Sequence, residues 1–234
     1  MDFSNKHVVI TGGTGALGTA VVGGLLTAGA TCIIPYRSEA EAQRFEHRDS
    51  DKVKLIAAGD LADEAAVSKL YDGVPLWASI HIAGGFAPGK VTDTDKAALM
   101  AQIDGNLVPC FLCCRAAIHA MTSQITGLGG RIVNVAARPA LEPRTGAGMT
   151  AYTIAKSGVA TLTIALAEEV AKDGFLVNAV APSIMDTPAN RKAMPKADFA
   201  AWPKVEEVAA TIVFLASPEN RVSRGAVVPV YGKS

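Results

Sequence analysis

The sequence lacks the features that mark several classes of protein. Its 22 basic and 22 acidic residues cancel, so no charge excess indicates binding to nucleic acid or to an anionic membrane. It has no uninterrupted run of about 18 apolar residues, so we expect no transmembrane helix. No basic start followed by an apolar run opens it, so we expect no secretory signal and a cytoplasmic location.

Cysteine is scarce, with four residues in the chain: Cys32, Cys110, Cys113 and Cys114. Cys110 and Cys113 have the C-x-x-C spacing of redox and zinc sites. The surrounding segment, PCFLCCRAAIHAM, is apolar and helix-like, and no second Cys or His cluster completes four metal ligands. Because free cysteine is commonly buried, we interpret these residues as packing residues and expect no metal site.

Apolar residues, in contrast, make up half of the chain, which is enough to form the core of one domain over residues 1–234. Strand-like apolar runs lie at 7–12, 31–36, 53–59, 76–84, 131–136, 175–181 and 226–231. Helix-like segments lie near 16–28, 38–47, 63–71, 95–122, 150–172 and 205–216. This alternation predicts an α/β fold, a Rossmann-type doubly wound parallel sheet that binds ligands beyond the carboxyl ends of its strands.

A glycine-rich turn, TGGTGALG (11–18), joins the first predicted strand to the first predicted helix. Small residues there let the backbone approach a pyrophosphate, and the helix N-terminus offers free N–H groups. The turn therefore predicts a dinucleotide site, with an ordinary strand-to-helix turn as the alternative. The residues expected to contact the cofactor are Gly12, Thr14, Gly15, Leu17 and Gly18.

The end of the second predicted strand, PYRSEAE, indicates which dinucleotide binds. Proteins that bind the NAD ribose usually have an acid about 20 residues past the glycines, where this sequence has Tyr36 followed by Arg37. An arginine beside the ribose favours a 2′-phosphate through charge-assisted hydrogen bonds. We therefore expect NADP(H) to be preferred over NAD(H); the alternative is that Arg37 is a solvated loop charge.

Tyr152 and Lys156 lie four residues apart in a predicted amphipathic helix, so they share one face of it. A tyrosine hydroxyl, with a pKa of about 10, is a poor acid–base catalyst at neutral pH, and a neighbouring ammonium group lowers that pKa. Such pairs are also common on solvated helix faces. The position of this pair, after the fifth predicted strand of a nucleotide-binding sheet, favours a catalytic role.

With these residues in place, nearly the whole sequence resembles the short-chain dehydrogenases/reductases. The resemblance is carried by TGGTGALG (11–18), GDLAD (59–63), IAGG (82–85), GNL (105–107), GRIVNV (130–135), YTIAK (152–156) and LVNAVAPSIMDT (176–187). The family implies a seven-stranded Rossmann domain that transfers hydride between a nicotinamide and a carbonyl-type group of a small-molecule substrate. It also implies a homodimer or homotetramer, packed through the helices at 95–122 and 150–172.

The resemblance assigns roles to individual residues. Tyr152 would donate the proton, Lys156 would bind the nicotinamide ribose and lower the tyrosine pKa, and Asn106 would hold a water in a proton relay. Further cofactor contacts would come from Asp60, Leu61, Ala83, Gly84, Pro182 and Thr187. Pro109 is compatible with this picture, because a proline inside a helix frees the carbonyl of Gly105 and distorts the turn beside Asn106.

The sequence departs from the family pattern in the glycine turn at Ala16, at His81-Ile82 in place of an asparagine pair, at Ser183, and at Ala137. Ala137 stands where the family has its catalytic serine, which normally hydrogen-bonds the substrate oxygen. Losing one such bond costs on the order of 10²–10³ in rate. The candidates to compensate are Arg138, Thr145 and Thr150.

One branch of the family, dihydropteridine reductase, also lacks this serine. The segment MDTPANRKAMPKADFAAW (185–202) is similar to the stretch after that branch's sixth strand, although a Pro-rich lid without pterin specificity is the alternative. Arg37 does not match that branch's use of NADH. Three functions stay open: an NADPH-dependent reductase of a small carbonyl-type substrate, a dihydropteridine-reductase-like enzyme, and a non-catalytic NADP(H)-binding sensor. A reductase is favoured, because the family's tyrosine, lysine and asparagine are all present, as Tyr152, Lys156 and Asn106.

Overall fold

A computed structural model of the chain describes residues 1–123 and 129–234. In these residues, parallel strands form a seven-stranded sheet in the order β3-β2-β1-β4-β5-β6-β7. The strands are β1 (His7–Thr11), β2 (Thr31–Tyr36), β3 (Val53–Ala57), β4 (Leu76–His81), β5 (Arg131–Val135), β6 (Leu176–Pro182) and β7 (Val227–Val230). The predicted doubly wound parallel sheet is confirmed, and every predicted strand is present.

The strand order reverses beside β1, and this reversal fixes where a ligand can bind. The chain runs outward from β1 through β2 to β3 and then returns to pair β4 with the other side of β1. The connections after β1 and β4 therefore leave the sheet in opposite directions and open a crevice above the carboxyl ends of the two strands. Thr11 and His81 are paired at this edge.

Helices cover both faces of the sheet. They are α1 (Ala16–Thr27), α2 (Glu39–Arg44), α3 (Glu64–Tyr71), α4 (Lys96–Gln102), α5 (Val108–Thr122), α6 (Arg138–Leu141), α7 (Thr150–Glu169), α8 (Pro188–Ala193) and α9 (Val205–Ala216). One apolar cluster joins α1 and α9 to the sheet, and a second joins α3, α5 and α7 to its other face. The sequence did not predict α6 and α8, in which no residue is buried and no apolar period is visible.

A π-helical turn at Ile103–Leu107 joins α4 to α5 in a continuous helix. Within this turn the N–H of Val108 bonds to the carbonyl of Ile103, five residues back. Because the following residue, Pro109, has no N–H to donate, the regular helical pattern cannot continue through this point. The distorted turn predicted beside Asn106 is thereby confirmed.

The continuous helix, Lys96–Thr122, is long and apolar enough to cross a membrane by length and composition. No unbroken apolar run is visible there in the sequence, because Asp104 and Arg115 interrupt it. In the fold this helix lies against β4, α3 and α7. Its buried residues, such as Cys110, Cys113 and Ala117, therefore belong to the layer that covers the sheet.

Candidate active site

The glycine turn after β1 is shaped by contacts that leave no room for side chains at Gly12, Gly13 and Gly18. Gly12 has a φ of 69°, and a Cβ there would lie 2.7 Å from the backbone N of Ala83. A Cβ at Gly18 would lie 2.1 Å from the carbonyl oxygen of Gly12. A Cβ at Gly15 would have an ordinary 3.4 Å contact, and Ala16 is exposed, so the alanine at 16 is accommodated without strain.

The turn forms one wall of a cleft of about 510 Å³ over the crevice between β1 and β4. Nine predicted cofactor residues line it: Gly12, Gly15, Leu17, Gly18, Arg37, Asp60, Leu61, Ala83 and Gly84. The other four, Thr14, Lys156, Pro182 and Thr187, are not among the residues that line it. Their contacts with a cofactor remain predictions.

Near Arg37 the cleft contains an acid that the sequence analysis missed. Glu41 accepts hydrogen bonds from the hydroxyl of Thr14 and, at 3.0 Å, from the backbone N–H of Arg37. Burial raises the pKa of Glu41, but these hydrogen bonds more than offset that effect, so its pKa lies below the ordinary value. Ser38 caps α2 and turns Glu41 back toward the glycine loop. An anion therefore lies beside the arginine that was expected to bind a 2′-phosphate.

Asn106, in the π-helical turn, holds the loop after β4 at the opposite end of the cleft. Its amide nitrogen donates to the carbonyls of Gly85 and Gln102, both at 3.0 Å, and its amide oxygen accepts from the N–H of Gly85 at 3.2 Å. A Cβ on Gly84 would lie 2.6 Å from that amide oxygen and 3.4 Å from Nζ of Lys156. The structure thus brings three predicted site residues, Gly84, Asn106 and Lys156, together.

Lys156 and Tyr152 lie one turn apart on α7. Lys156 is 5% exposed, its Nζ donates to the carbonyl of Val135 at 2.8 Å, and burial lowers its pKa to about 8. Tyr152 lies edge-on to the exposed ring of Phe86, with the ring centroids 5.1 Å apart. Burial raises the pKa of Tyr152 to about 12. This direction is opposite to the lowering expected from the lysine, because burial penalises the phenolate.

The end of β5 presents no hydroxyl group at Ala137, the position of the family's serine. Ala137 is buried, and its backbone caps α6. Two of the candidates to replace the serine have other partners. Arg138 donates to the carboxylate of Glu142 at 2.9 Å, and the hydroxyl of Thr145 donates to the carbonyl of Glu142 at 2.8 Å. The third candidate, Thr150, is the first residue of α7.

The segment after β6 is held by a bidentate ion pair. Arg191 donates to the two carboxylate oxygens of Asp186 at 2.6 and 2.7 Å, and its guanidinium lies 5.0 Å from the ring centroid of Phe199. Thr187 accepts a hydrogen bond from the N–H of Asn190 at 3.2 Å and so caps α8. Because Arg191 is paired within this segment, it is a poor candidate for binding an anionic substrate.

The four cysteines are buried and unlinked, as the packing interpretation requires. Cys110 lies beside Cys114 rather than forming a C-x-x-C site with Cys113, and His81 joins this pair. The hydrogen bond from Cys114 lowers the pKa of Cys110, and the same shared proton together with burial raises the pKa of Cys114. This group is not visible in the sequence, because His81 lies on β4 and the two cysteines lie on α5, far apart along the chain.

Comparisons with known proteins agree with this architecture. The family described as short chain dehydrogenase matches residues 6–198. The chain is 34% identical to galactitol 2-dehydrogenase of Rhizobium johnstonii, over 96% of this chain and 93% of that protein. It is 33% identical to cis-4-hydroxycyclohexanecarboxylate dehydrogenase of Sinomonas cyclohexanicum, over 98% and 96% respectively. The solved structure of ElxO with NADP bound has a TM-score of 0.87 at 25% identity, over 97% of each chain.

Proposed function

The chain belongs to the short-chain dehydrogenase family, and we propose that it uses NADPH to reduce a small carbonyl-type substrate. Family membership makes it an NAD(P)-dependent oxidoreductase. The proposal for its substrate class rests on one observation: Asn106, Gly84 and Lys156 meet at one end of the cleft, one turn of α7 from Tyr152. This arrangement can position a nicotinamide and a proton donor side by side.

The residues of the cleft are compatible with a dinucleotide. A Cβ on Gly12 or Gly18 would clash with neighbouring backbone atoms. Because glycine has no Cβ, the turn packs tightly against Ala83 and the start of α1. The N-terminus of α1 then faces the cleft and favours a pyrophosphate. Lys156 would hold the nicotinamide ribose from the position that it occupies beside Gly84.

The proton would come from Tyr152. The cofactor, when bound, supplies the hydride, and the product oxygen then needs a proton. Because burial raises the pKa of Tyr152 to about 12, its hydroxyl keeps its proton at neutral pH, as a donor must. Lys156 stabilises the phenolate that remains, since an ammonium group lowers the energy of a nearby anion. Asn106 would support the proton relay, and its hydrogen bonds to Gly85 fix the loop beside it.

The preference for NADPH is supported by Arg37, which lines the same cleft as the glycine turn. Its guanidinium would pair with the 2′-phosphate. Glu41 acts against this preference, since its carboxylate lies beside Arg37 and would repel a phosphate. We propose that the arginine outweighs the glutamate, because a guanidinium can reach the phosphate bidentately whereas both oxygens of Glu41 are already hydrogen-bonded.

We also propose that the enzyme is a cytoplasmic homodimer or homotetramer. Large apolar side chains are exposed on α5 and α7: Phe111 at 51%, Ile154 at 49% and Ile164 at 50%. These helices are the ones that the family resemblance places between subunits. Light scattering coupled to size-exclusion chromatography should show an oligomer, and Phe111→Asp should shift it toward a monomer. A native protein that is monomeric at micromolar concentration would contradict the proposal.

Reduction of a quinonoid dihydropterin is a second candidate, which Ala137 favours. A ring-system acceptor does not need the serine that positions a simple ketone oxygen, and the end of β5 offers no hydroxyl at Ala137. A third possibility, an NADP(H)-binding sensor without turnover, has only the missing serine in its favour.

One experiment separates these functions. Oxidation of NADPH and NADH would be followed with purified protein, a panel of ketones and diketones, and a quinonoid dihydropterin, with Tyr152→Phe in parallel. We expect carbonyl-dependent oxidation of NADPH that the substitution abolishes. Turnover of the pterin alone would support the second candidate, and NADPH binding without any turnover would support the sensor.

A further inference from the structure

Beneath the cleft lies a buried group of side chains that the proposed reaction does not use. His81 ends β4, and Cys110 and Cys114 lie one turn apart on α5, which packs against that strand. The three residues are 3%, 5% and 1% exposed, and their ligand atoms all lie within 4.8 Å of one another. Two thiols and an imidazole are the donor set that thiophilic metal ions such as Zn²⁺ prefer.

We propose that His81, Cys110 and Cys114 bind one Zn²⁺ ion, with the amide oxygen of Asn134 as the fourth ligand. In a tetrahedral site, Zn–S and Zn–N bonds of about 2.3 and 2.0 Å place the ligand atoms roughly 3.5–3.8 Å apart. The Sγ of Cys114 already lies 3.5 Å from Nδ1 of His81 and 3.5 Å from Oδ1 of Asn134. To admit an ion, the widest pair of ligand atoms must close by about 1 Å, and Nδ1 of His81 must move away from Oδ1 of Asn134, which now lies 2.8 Å from it. Both movements are within reach of side-chain rotation.

In the structure Nδ1 of His81 donates to Oδ1 of Asn134 at 2.8 Å, so an ion would take the place of this proton, and the remaining hydrogen bonds would then hold the ring as a metal-binding histidine requires. Nε2 of His81 lies 2.8 Å from the hydroxyl of Ser79, and that hydroxyl lies 2.8 Å from the hydroxyl of Tyr71. With an ion on Nδ1, the ring proton moves to Nε2 and is donated to Ser79, which fixes the tautomer. Nδ2 of Asn134 donates to the hydroxyl of Thr163 at 2.9 Å and so holds Oδ1 toward the cluster.

Charge balance favours a divalent ion at this depth. Binding releases one proton from each thiol to the solvent, and no electron is transferred. Two thiolates and one Zn²⁺ form a neutral group, which an apolar interior accepts more readily than an isolated charge. A monovalent ion such as Cu⁺ would leave a net negative charge in the same place. The proposal does not depend on the substrate or on the reaction proposed above.

Metal titration of the whole protein tests the proposal. Protein stripped with a chelator and kept reduced with a phosphine would be titrated with Co²⁺, whose thiolate charge-transfer and ligand-field absorption reports the ligand set. We expect one Co²⁺ per chain, displaced by Zn²⁺, and a higher melting temperature with Zn²⁺. Cys110→Ser and Cys114→Ser should each lose the thiolate band and the thermal shift.

Cys113→Ser is the matched control, because Cys113 is as buried as Cys114, lies next to it on α5, and faces Tyr71. This variant should bind the ion as the native chain does, which shows that a serine on this helix is compatible with folding. Any of three results would overturn the proposal: no uptake by the native protein, equal uptake by all variants, or uptake of Cu⁺ alone.

Discussion

Two hydrogen bonds join the side-chain amide of Asn106 to the backbone of Gly85. The amide nitrogen of Asn106 donates to the carbonyl of Gly85 at 3.0 Å, and its amide oxygen accepts from the N–H of Gly85 at 3.2 Å. One partner lies in the π-helical turn and the other in the loop after β4, so this pair joins two walls of the cleft. A methyl group added at Gly84 would lie close enough to Asn106 to disturb these two hydrogen bonds.

Gly84→Ala should therefore destabilise the protein. The new Cβ would lie 2.6 Å from the amide oxygen of Asn106, and relieving the clash would break the pair with Gly85. We expect a loss of roughly 1–3 kcal/mol in the free energy of unfolding, measured by urea denaturation without cofactor. Gly85→Ala is the control, because a Cβ there meets nothing within 4 Å. Equal losses in the two variants would contradict the role of this contact.

Tyr152→Phe should remove turnover and leave cofactor binding nearly intact. The substitution deletes the proton donor but keeps the ring that lies against Phe86. We expect kcat to fall by about 10²–10⁴, and the Kd for NADPH, measured by fluorescence, to change by less than roughly threefold. Tyr231→Phe makes the same chemical change near Arg138 and should keep most of the activity. Full activity in Tyr152→Phe would exclude the tyrosine as donor.

Ala137→Ser should increase activity toward simple ketones. The serine would restore a hydroxyl at the end of β5, where the family normally positions the substrate oxygen. We expect kcat/KM for ketones to rise by about 10-fold or more, since one donor to a reacting oxygen contributes on the order of 10²–10³ when well placed. Ala136→Ser, which changes the neighbouring buried residue, is the control. A decrease in both variants would show that the native substrate needs an apolar wall here.

Arg37→Ala and Glu41→Gln should shift the cofactor preference in opposite directions. The alanine removes the cation expected at the 2′-phosphate, so the ratio of kcat/KM for NADPH to that for NADH should fall about 10-fold or more. The glutamine keeps hydrogen-bonding groups beside Thr14 and Arg37 but removes the negative charge, so the ratio should rise. An unchanged ratio in Arg37→Ala would disprove the 2′-phosphate interpretation.

The free energy of unfolding of the native protein, measured relative to that of Lys156→Met, should increase between about pH 8 and 10.5. Burial lowers the pKa of Lys156 from 10.5 to about 8, so in this window the unfolded chain holds a proton that the folded chain has lost. The free energy of unfolding therefore increases with pH, by up to roughly 3 kcal/mol over the window. Below pH 8 Lys156 is protonated in both the folded and the unfolded state, so the difference between the two proteins is constant. Urea denaturation of both proteins across this range measures it, and a flat difference would show that Lys156 is not desolvated.

The sequence was sufficient to predict the sheet and the glycine turn. Strands such as β5 and β6 are buried along their whole length because both faces of the sheet are covered, so apolar residues dominate them and they are visible without any knowledge of the fold. Gly18 could be identified because its need for glycine is local to one strand-to-helix turn, and Gly12 because its positive φ belongs to the same turn. The i, i+4 spacing of Tyr152 and Lys156 is likewise local to one helix.

Only the tertiary structure could show what depends on contacts between distant segments. Glu41 lies beside Arg37 and Thr14 because a six-residue helix turns it back across the cleft. The pKa of Tyr152 is raised rather than lowered because the side chain is buried, which a spacing along the sequence cannot report.

His81 meets Cys110 and Cys114 because α5 packs on β4, although about thirty residues separate the histidine from the first cysteine along the chain. The sequence by itself determined the strands, most of the helices, the parallel direction of the strands and the local spacing of the site residues, since these follow from short-range periodicity and backbone sterics. The electrostatics of the cleft and the buried cysteine–histidine cluster were decided by packing, because desolvation and ligand distance exist only once the layers have come together.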